Sequence, residues 1–295
     1  MPDEARIAAL PRRELTMPDG AVLSLIDTGS GRPFLILPSW SNSAAQYHHQ
    51  VAEFARDHRV IAVDVRAGGL SAKVDYGLRI SRFSADLREI IGQLDLADVI
   101  LMGHSMGCSI IWSYLDLYGP ADVAALVLVD QAPTQLIQPQ WTHAEALAYG
   151  ATQTPQDIFD FAARFAAPNG VEWTWERYKP LFTATFPLAE YEWAVRECLK
   201  MPRQLAAKLF LDHAMRDWRD VISRIRLPSL VVGAEKSVFP VESQRWIASQ
   251  IPGARLEIFS ERDGGSHFMC FENPVRFNAI VRDFLERAVR APARR

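Results

Sequence analysis

Short apolar runs alternate along the chain with segments whose apolar residues recur every three or four positions. The first kind reads as buried β-strand, the second as amphipathic helix. Two early runs, 13–17 and 21–27, flank Pro18-Asp19-Gly20, a turn sequence that predicts a hairpin. Buried strands are predicted at 33–37, 58–65, 99–102 and 124–129. A helix is predicted over 79–96, where Ile80, Phe83, Leu87, Ile90, Ile91 and Leu94 share one face. Another runs over 106–118 and stops at Gly119-Pro120. This alternation predicts an α/β fold, a mainly parallel sheet with helices on both faces.

The strand signal lapses from 131 to 226. That stretch has only helix-like segments, and it holds Trp141, Trp173, Trp175, Trp193 and Trp218, five of the eight tryptophans. Strand and helix signals resume at 229–232, 241–251, 255–259 and 275–289. The expectation is one core assembled from 1–130 and 227–295, interrupted by a helical insertion at 131–226. A chain of 295 residues is long enough for both. The insertion's aromatics would either line a pocket or pack a small core of their own.

Composition acts mainly by exclusion. With 32 basic and 35 acidic residues the formal charge is −3, which gives no electrostatic reason to expect nucleic acid or an anionic membrane as partner. Arg287, Arg290, Arg294 and Arg295 read as a solvated tail. The charged N-terminus lacks the apolar stretch of a signal peptide, and no run is long enough to span a bilayer. Cys108, Cys198 and Cys270 have neither metal nor redox spacing and read as reduced thiols of a cytoplasmic protein. No ligand cluster or phosphate-binding loop is present, so no metal or cofactor is expected. The expected partner is a small-molecule substrate, with a homodimer left open.

The chemistry concentrates at Gly103-His104-Ser105-Met106-Gly107. This G-x-S-x-G follows an apolar strand and opens a helix, the arrangement of a nucleophile elbow. A serine hydroxyl needs a base to take its proton. His267, in the glycine-rich loop Gly264-Gly265-Ser266-His267-Phe268 between the last strand and last helix, is the candidate. His48, His49 and His58 are expected at the surface. His104, Trp141 and His143 are candidate substrate contacts, and His213, in the same insertion as the last two, could touch substrate as well.

Residues 13–291 resemble the α/β-hydrolase superfamily, most closely its small esterase, perhydrolase and non-haem haloperoxidase branch. The resemblance is carried by Leu37-Pro38-Ser39-Trp40, by Asp64-Val65-Arg66-Ala67-Gly68-Gly69-Leu70-Ser71, by the elbow, and by the Gly264–Phe268 loop. It implies an α/β-hydrolase fold, a mostly parallel eight-stranded sheet with a helical cap inserted after strand 6. It also implies cofactor-independent cleavage of an ester or lactone bond through an acyl-enzyme on Ser105. The oxyanion donors would be the backbone N–H groups of Trp40 and Met106. Most relatives carry an aspartate after the seventh strand, where this chain has Ser237. A serine cannot stabilise an imidazolium electrostatically, so the acid is sought at Asp130, which ends the sixth strand, with Glu235 as alternative and Asp263 as a weaker candidate. The same fold also hosts cofactor-free dioxygenases of hydroxylated heteroaromatics and slow-turnover ligand sensors.

Overall fold

The computed structural model describes residues 3–288. Arg290, Arg294, Arg295 and the expected helix end at Val289 lie outside the described residues. After a short helix α1 (Glu4–Ala8) come strands β1 (Arg12–Thr16), β2 (Val22–Gly29) and β3 (Arg32–Leu37). Helix α2 (His48–Phe54), β4 (His58–Val63), α3 (Ile80–Gln93), β5 (Val99–His104), α4 (Met106–Tyr118) and β6 (Val123–Val129) follow. The sheet order is β1-β2-β4-β3-β5-β6, continued by β7 (Ser229–Ala234) and β8 (Arg255–Phe259). The β1–β2 and β2–β4 pairs are antiparallel, and every other pair is parallel.

The continuous apolar strands arise because both faces of the sheet are covered. Successive side chains point to opposite faces. Leu35, Leu37, Ile61, Leu101, Leu126, Leu128 and Val231 join one core with Phe83 of α3 and Trp112 of α4. Phe34, Ile36, Val60, Ile100, Met102, Val127 and Val232 join the other, with Phe54 of α2 and Phe277 of the last helix. Full burial of such side chains is worth about 1.5–3 kcal/mol each before entropy is charged.

Between β6 and β7 the described residues form helices α5 (His143–Tyr149), α6 (Pro155–Ala166), α7 (Gly170–Tyr178), α8 (Leu188–Cys198), α9 (Arg203–Ala214) and α10 (Arg219–Ile222), with no strand. Two of them start on capping boxes: Thr142 with Glu145 on α5, and Thr154 with Asp157 on α6. The chain closes with α11 (Val241–Gln250) between β7 and β8, then α12 (Met269–Glu272) and α13 (Pro274–Ala288).

The order β4-β3-β5 makes the chain leave β3 toward one side and return on the other. Loops leaving β3 and β5 therefore diverge and leave a crevice at the carboxyl ends of the strands, where open α/β sheets bind ligands. One expectation fails here. His48 and His49 are half-buried rather than on the surface, because α2 packs them against Trp193 and Phe271. Burial lowers the pKa of both, that of His48 to about 4. His58 is likewise half-buried, edge-on to Phe34 and Phe54. All three cysteines are free and buried. No helix among the described residues is long and apolar enough to cross a membrane.

Candidate active site

Ser105 sits between β5 and α4 with φ 51° and ψ −117°, a conformation that L-residues rarely adopt. The turn is fixed by its neighbours. Ser105 N–H donates to Val129 O at 2.7 Å, and Cys108 N–H returns to Ser105 O at 2.8 Å. The flanking glycines are there for space. A Cβ on Gly103 would lie 2.6 Å from Cys108 N, and one on Gly107 would lie 2.3 Å from Leu37 O. Gly107 thus lets α4 press against the end of β3, which brings the elbow beside the loop carrying Ser39 and Trp40.

His267 follows β8 on a loop shaped by Gly264 and Gly265. A Cβ on Gly265 would lie 2.3 Å from Phe259 O. The loop is tied to the chain after β7, where Lys236 N–H donates to Gly265 O at 3.0 Å. The imidazole is buried, and its Nδ1 lies 2.7 Å from Oδ2 of the fully buried Asp130. Asp130 has φ 48°, a left-handed conformation tolerated best by Asn and Asp, and its N–H donates to Val232 O at 2.8 Å. Burial raises the pKa of the Asp130 carboxyl, while hydrogen bonds from His267 and Ser237 oppose the rise.

Of the three acids considered from the sequence, the structure brings Asp130 alone to His267. Glu235 is exposed and accepts from Glu261 N–H at 3.1 Å. Asp263 accepts from Ser260 Oγ at 2.7 Å and pairs with Arg276. Ser237 keeps its place beside the site. Its hydroxyl donates to Asp130 Oδ2 at 2.5 Å and accepts from Phe239 N–H at 3.2 Å.

Ser105 and His267 line one cavity of about 100 Å³, together with Trp40. In this structure Ser105 Oγ is turned to Gln131 Oε1, 3.4 Å away, and makes no hydrogen bond to His267. Catalytic hydrogen bonds often tighten only around substrate. The N–H groups of Trp40 and Met106 have no acceptor among the described residues, as oxyanion donors require. The Trp40 indole donates from Nε1 to Ala206 O at 3.0 Å and packs edge-on to Phe165 and Phe210.

The candidate substrate contacts His104, Trp141 and His143 lie away from the cavity. His104 is fully buried behind the elbow. Ser39 N–H donates to Tyr47 Oη at 2.9 Å, and Tyr47 Oη donates to His104 Nδ1 at 2.9 Å. His104 Nε2–H in turn donates to His267 O at 2.8 Å. Burial, then the neighbouring His267, lowers the pKa of His104 to about 3, so it is a neutral strut between three loops. Trp141 packs instead on Tyr149 and under Arg219, and His143 is exposed. From the helical segment the cavity takes Phe161, Phe165, Arg177, Phe210 and His213. Gln131 and Tyr47 were not anticipated. Gln131 could have been suspected as the neighbour of Asp130, whereas nothing local marks Tyr47.

Residues 32–274 match the profile of the alpha/beta hydrolase fold family. The chain belongs to that family. It is 27% identical to a non-heme haloperoxidase of Rhodococcus erythropolis over 92% of this chain and 98% of that protein. Among solved structures it is similar to a bromoperoxidase from Bacillus anthracis, with TM-score 0.85 and 19% identity over 94% of this chain and all of that one. It is also similar to an esterase from Exiguobacterium antarcticum, with TM-score 0.84 and 23% identity over 92% and 98% of the two chains.

Proposed function

We propose that this α/β hydrolase is a cofactor-independent serine hydrolase that cleaves an ester or lactone bond of a small to medium apolar substrate. The observation that carries the reading is Ser105 on its strained elbow, sharing one cavity with the Asp130-paired His267. His267 Nε2 takes the Ser105 proton as Oγ attacks the carbonyl carbon. The N–H groups of Met106 and Trp40 hold the resulting oxyanion, and Asp130 stabilises the imidazolium. Collapse breaks the bond to the alcohol oxygen, which leaves with the proton from His267. Water, deprotonated by the same imidazole, then releases the acyl group. Segment 131–226 acts as a cap whose aromatic residues exclude water from this chemistry. The relatives bearing haloperoxidase names suggest that hydrogen peroxide could replace water in the last step.

One observation favours the dioxygenase alternative. Ser105 Oγ is held by Gln131 rather than by His267, as suits a histidine that deprotonates a hydroxylated heteroaromatic ring directly. Hydrolysis of p-nitrophenyl acetate by wild type and Ser105→Ala decides between them. The hydrolase reading expects a loss of about a thousandfold or more in kcat. Activity retained in Ser105→Ala overturns it.

A further inference from the structure

Arg177 is the one arginine or lysine among the residues that line the cavity. The other lining side chains are aromatic, aliphatic, hydroxyl or amide groups and the neutral His213, with no carboxylate among them. The Arg177 guanidinium lies 5.5 Å from the centre of the Phe161 ring, and no carboxylate among the described residues pairs with it. Its five N–H donors make no hydrogen bond to another of the described residues.

The position of Arg177 is well anchored. It stands in the last turn of α7, and the next residue, Tyr178, is buried with its hydroxyl 3.0 Å from Asn42 Oδ1 and 3.2 Å from Trp40 O. The end of α7 is thereby fastened to the loop proposed to donate to the oxyanion. His213, in the same wall, is neutral. Gln135 Nε2 lies 3.2 Å from His213 Nε2, and an amide nitrogen can only donate, so the His213 proton resides on Nδ1. That atom has no hydrogen-bond partner. Burial lowers the pKa of His213 to about 4, so it adds no second positive charge.

We infer that the substrate, otherwise apolar, carries one carboxylate besides its scissile ester or lactone bond, and that Arg177 binds it. A single cation over an aromatic ring, in a cavity whose other lining side chains carry no carboxylate and no second arginine or lysine, suits a monoanion. A phosphate dianion would call for a second cation, which the cavity lacks. An arginine–carboxylate pair in a cavity lined largely by aromatic and aliphatic groups is stronger than the same pair in water. The inference rests on the hydrolase reading for the reaction but not for the binding.

The test uses both. Binding of benzoate and its neutral isostere benzamide is measured by calorimetry on the whole protein, as wild type, Arg177→Gln and Arg177→Lys. Wild type should prefer benzoate by about tenfold or more, Arg177→Gln should erase the preference, and Arg177→Lys should keep part of it. Added salt should weaken benzoate alone. The kcat/KM ratio of 4-acetoxybenzoate to 4-acetoxybenzamide should follow the same order. A missing benzoate preference, or one that survives Arg177→Gln, overturns the inference. If wild type cleaves neither ester yet binds benzoate through Arg177, the hydrolase reading fails and the anion site stands.

Discussion

The hydroxyl of Ser237 donates to Asp130 Oδ2 at 2.5 Å, the same oxygen that lies 2.7 Å from His267 Nδ1. The usual acid position after β7 is thus still wired to the acid found after β6. Asp130 and Ser237, which follow the adjacent strands β6 and β7, meet at the carboxylate oxygen that faces the imidazole. Asp130→Asn should lower kcat by about three to four orders of magnitude, since the imidazolium loses its counter-charge and its tautomer. Adding Ser237→Asp should recover at least about tenfold of that loss, because the Phe239 N–H that now binds Ser237 Oγ can bind the new carboxylate. Steady-state kinetics on the single and double variants checks this. A double variant no better than Asp130→Asn would show that the second site cannot orient the base.

Ser237→Ala probes the same bond more gently. Burial pushes the Asp130 pKa up, and the Ser237 hydrogen bond is one of the contacts holding it down. Removing that bond should raise the pKa further. The ionised carboxylate is the working form, so the acid limb of kcat/KM should move to higher pH while the folded protein is retained. An acid limb that stays in place would mean that Ser237 does not help to keep Asp130 ionised.

Much of this was legible in the sequence, for identifiable reasons. Strands covered on both faces are apolar at every position, so 99–102 and 124–129 announced themselves, and the lapse of that signal marked the helical segment. Ser105 and His267 were legible because glycines crowd around them, and those glycines mark backbone approaches that a Cβ would block. Asp130 was preferred over Glu235 because it ends the sixth strand, where some members of the superfamily that the sequence resembles place their acid. Contacts between distant segments were not legible. Nothing near Tyr47 reveals that its hydroxyl bridges Ser39 and His104, and helical spacing alone could not say that Phe210 would meet Trp40 while Trp141 turned to Arg219.

The buried and half-buried neutral histidines make acid stability a sharp test. Burial lowers the pKa of His104 to about 3, and of His48 and His213 to about 4. In the unfolded chain each would titrate near about 6.5. Between those values the unfolded state binds more protons, so stability is complete above the unfolded pKa and falls as pH drops below it. The slope is at most about 1.4 kcal/mol per pH unit for each such group. Denaturant midpoints measured from pH 7 to pH 4.5 should therefore fall steadily. His48 lies outside the candidate site, and His48→Gln should flatten the fall. An unchanged slope would mean that His48 protonates in the folded protein without resistance.

Cavity size should set the acyl preference. About 100 Å³ is available beside Ser105, walled in part by Trp40, Phe161, Phe165 and Phe210. An apolar cavity of about 150 Å³ is enough for benzene, so acyl groups of two to four carbons should fit and an octanoyl chain should not. Kinetics on p-nitrophenyl acetate through octanoate should show kcat/KM highest among the short esters. Phe210 is 6% exposed, and Phe210→Ala removes part of the wall. That variant should shift the optimum to longer chains, since the new space regains the burial energy of each added methylene, about 0.8 kcal/mol. It should also lower stability by about 3–5 kcal/mol, the usual penalty for emptying a buried aromatic site. A wild-type optimum at octanoate, or a chain-length profile that Phe210→Ala leaves unchanged, would show that the acyl group lies elsewhere than against this aromatic wall.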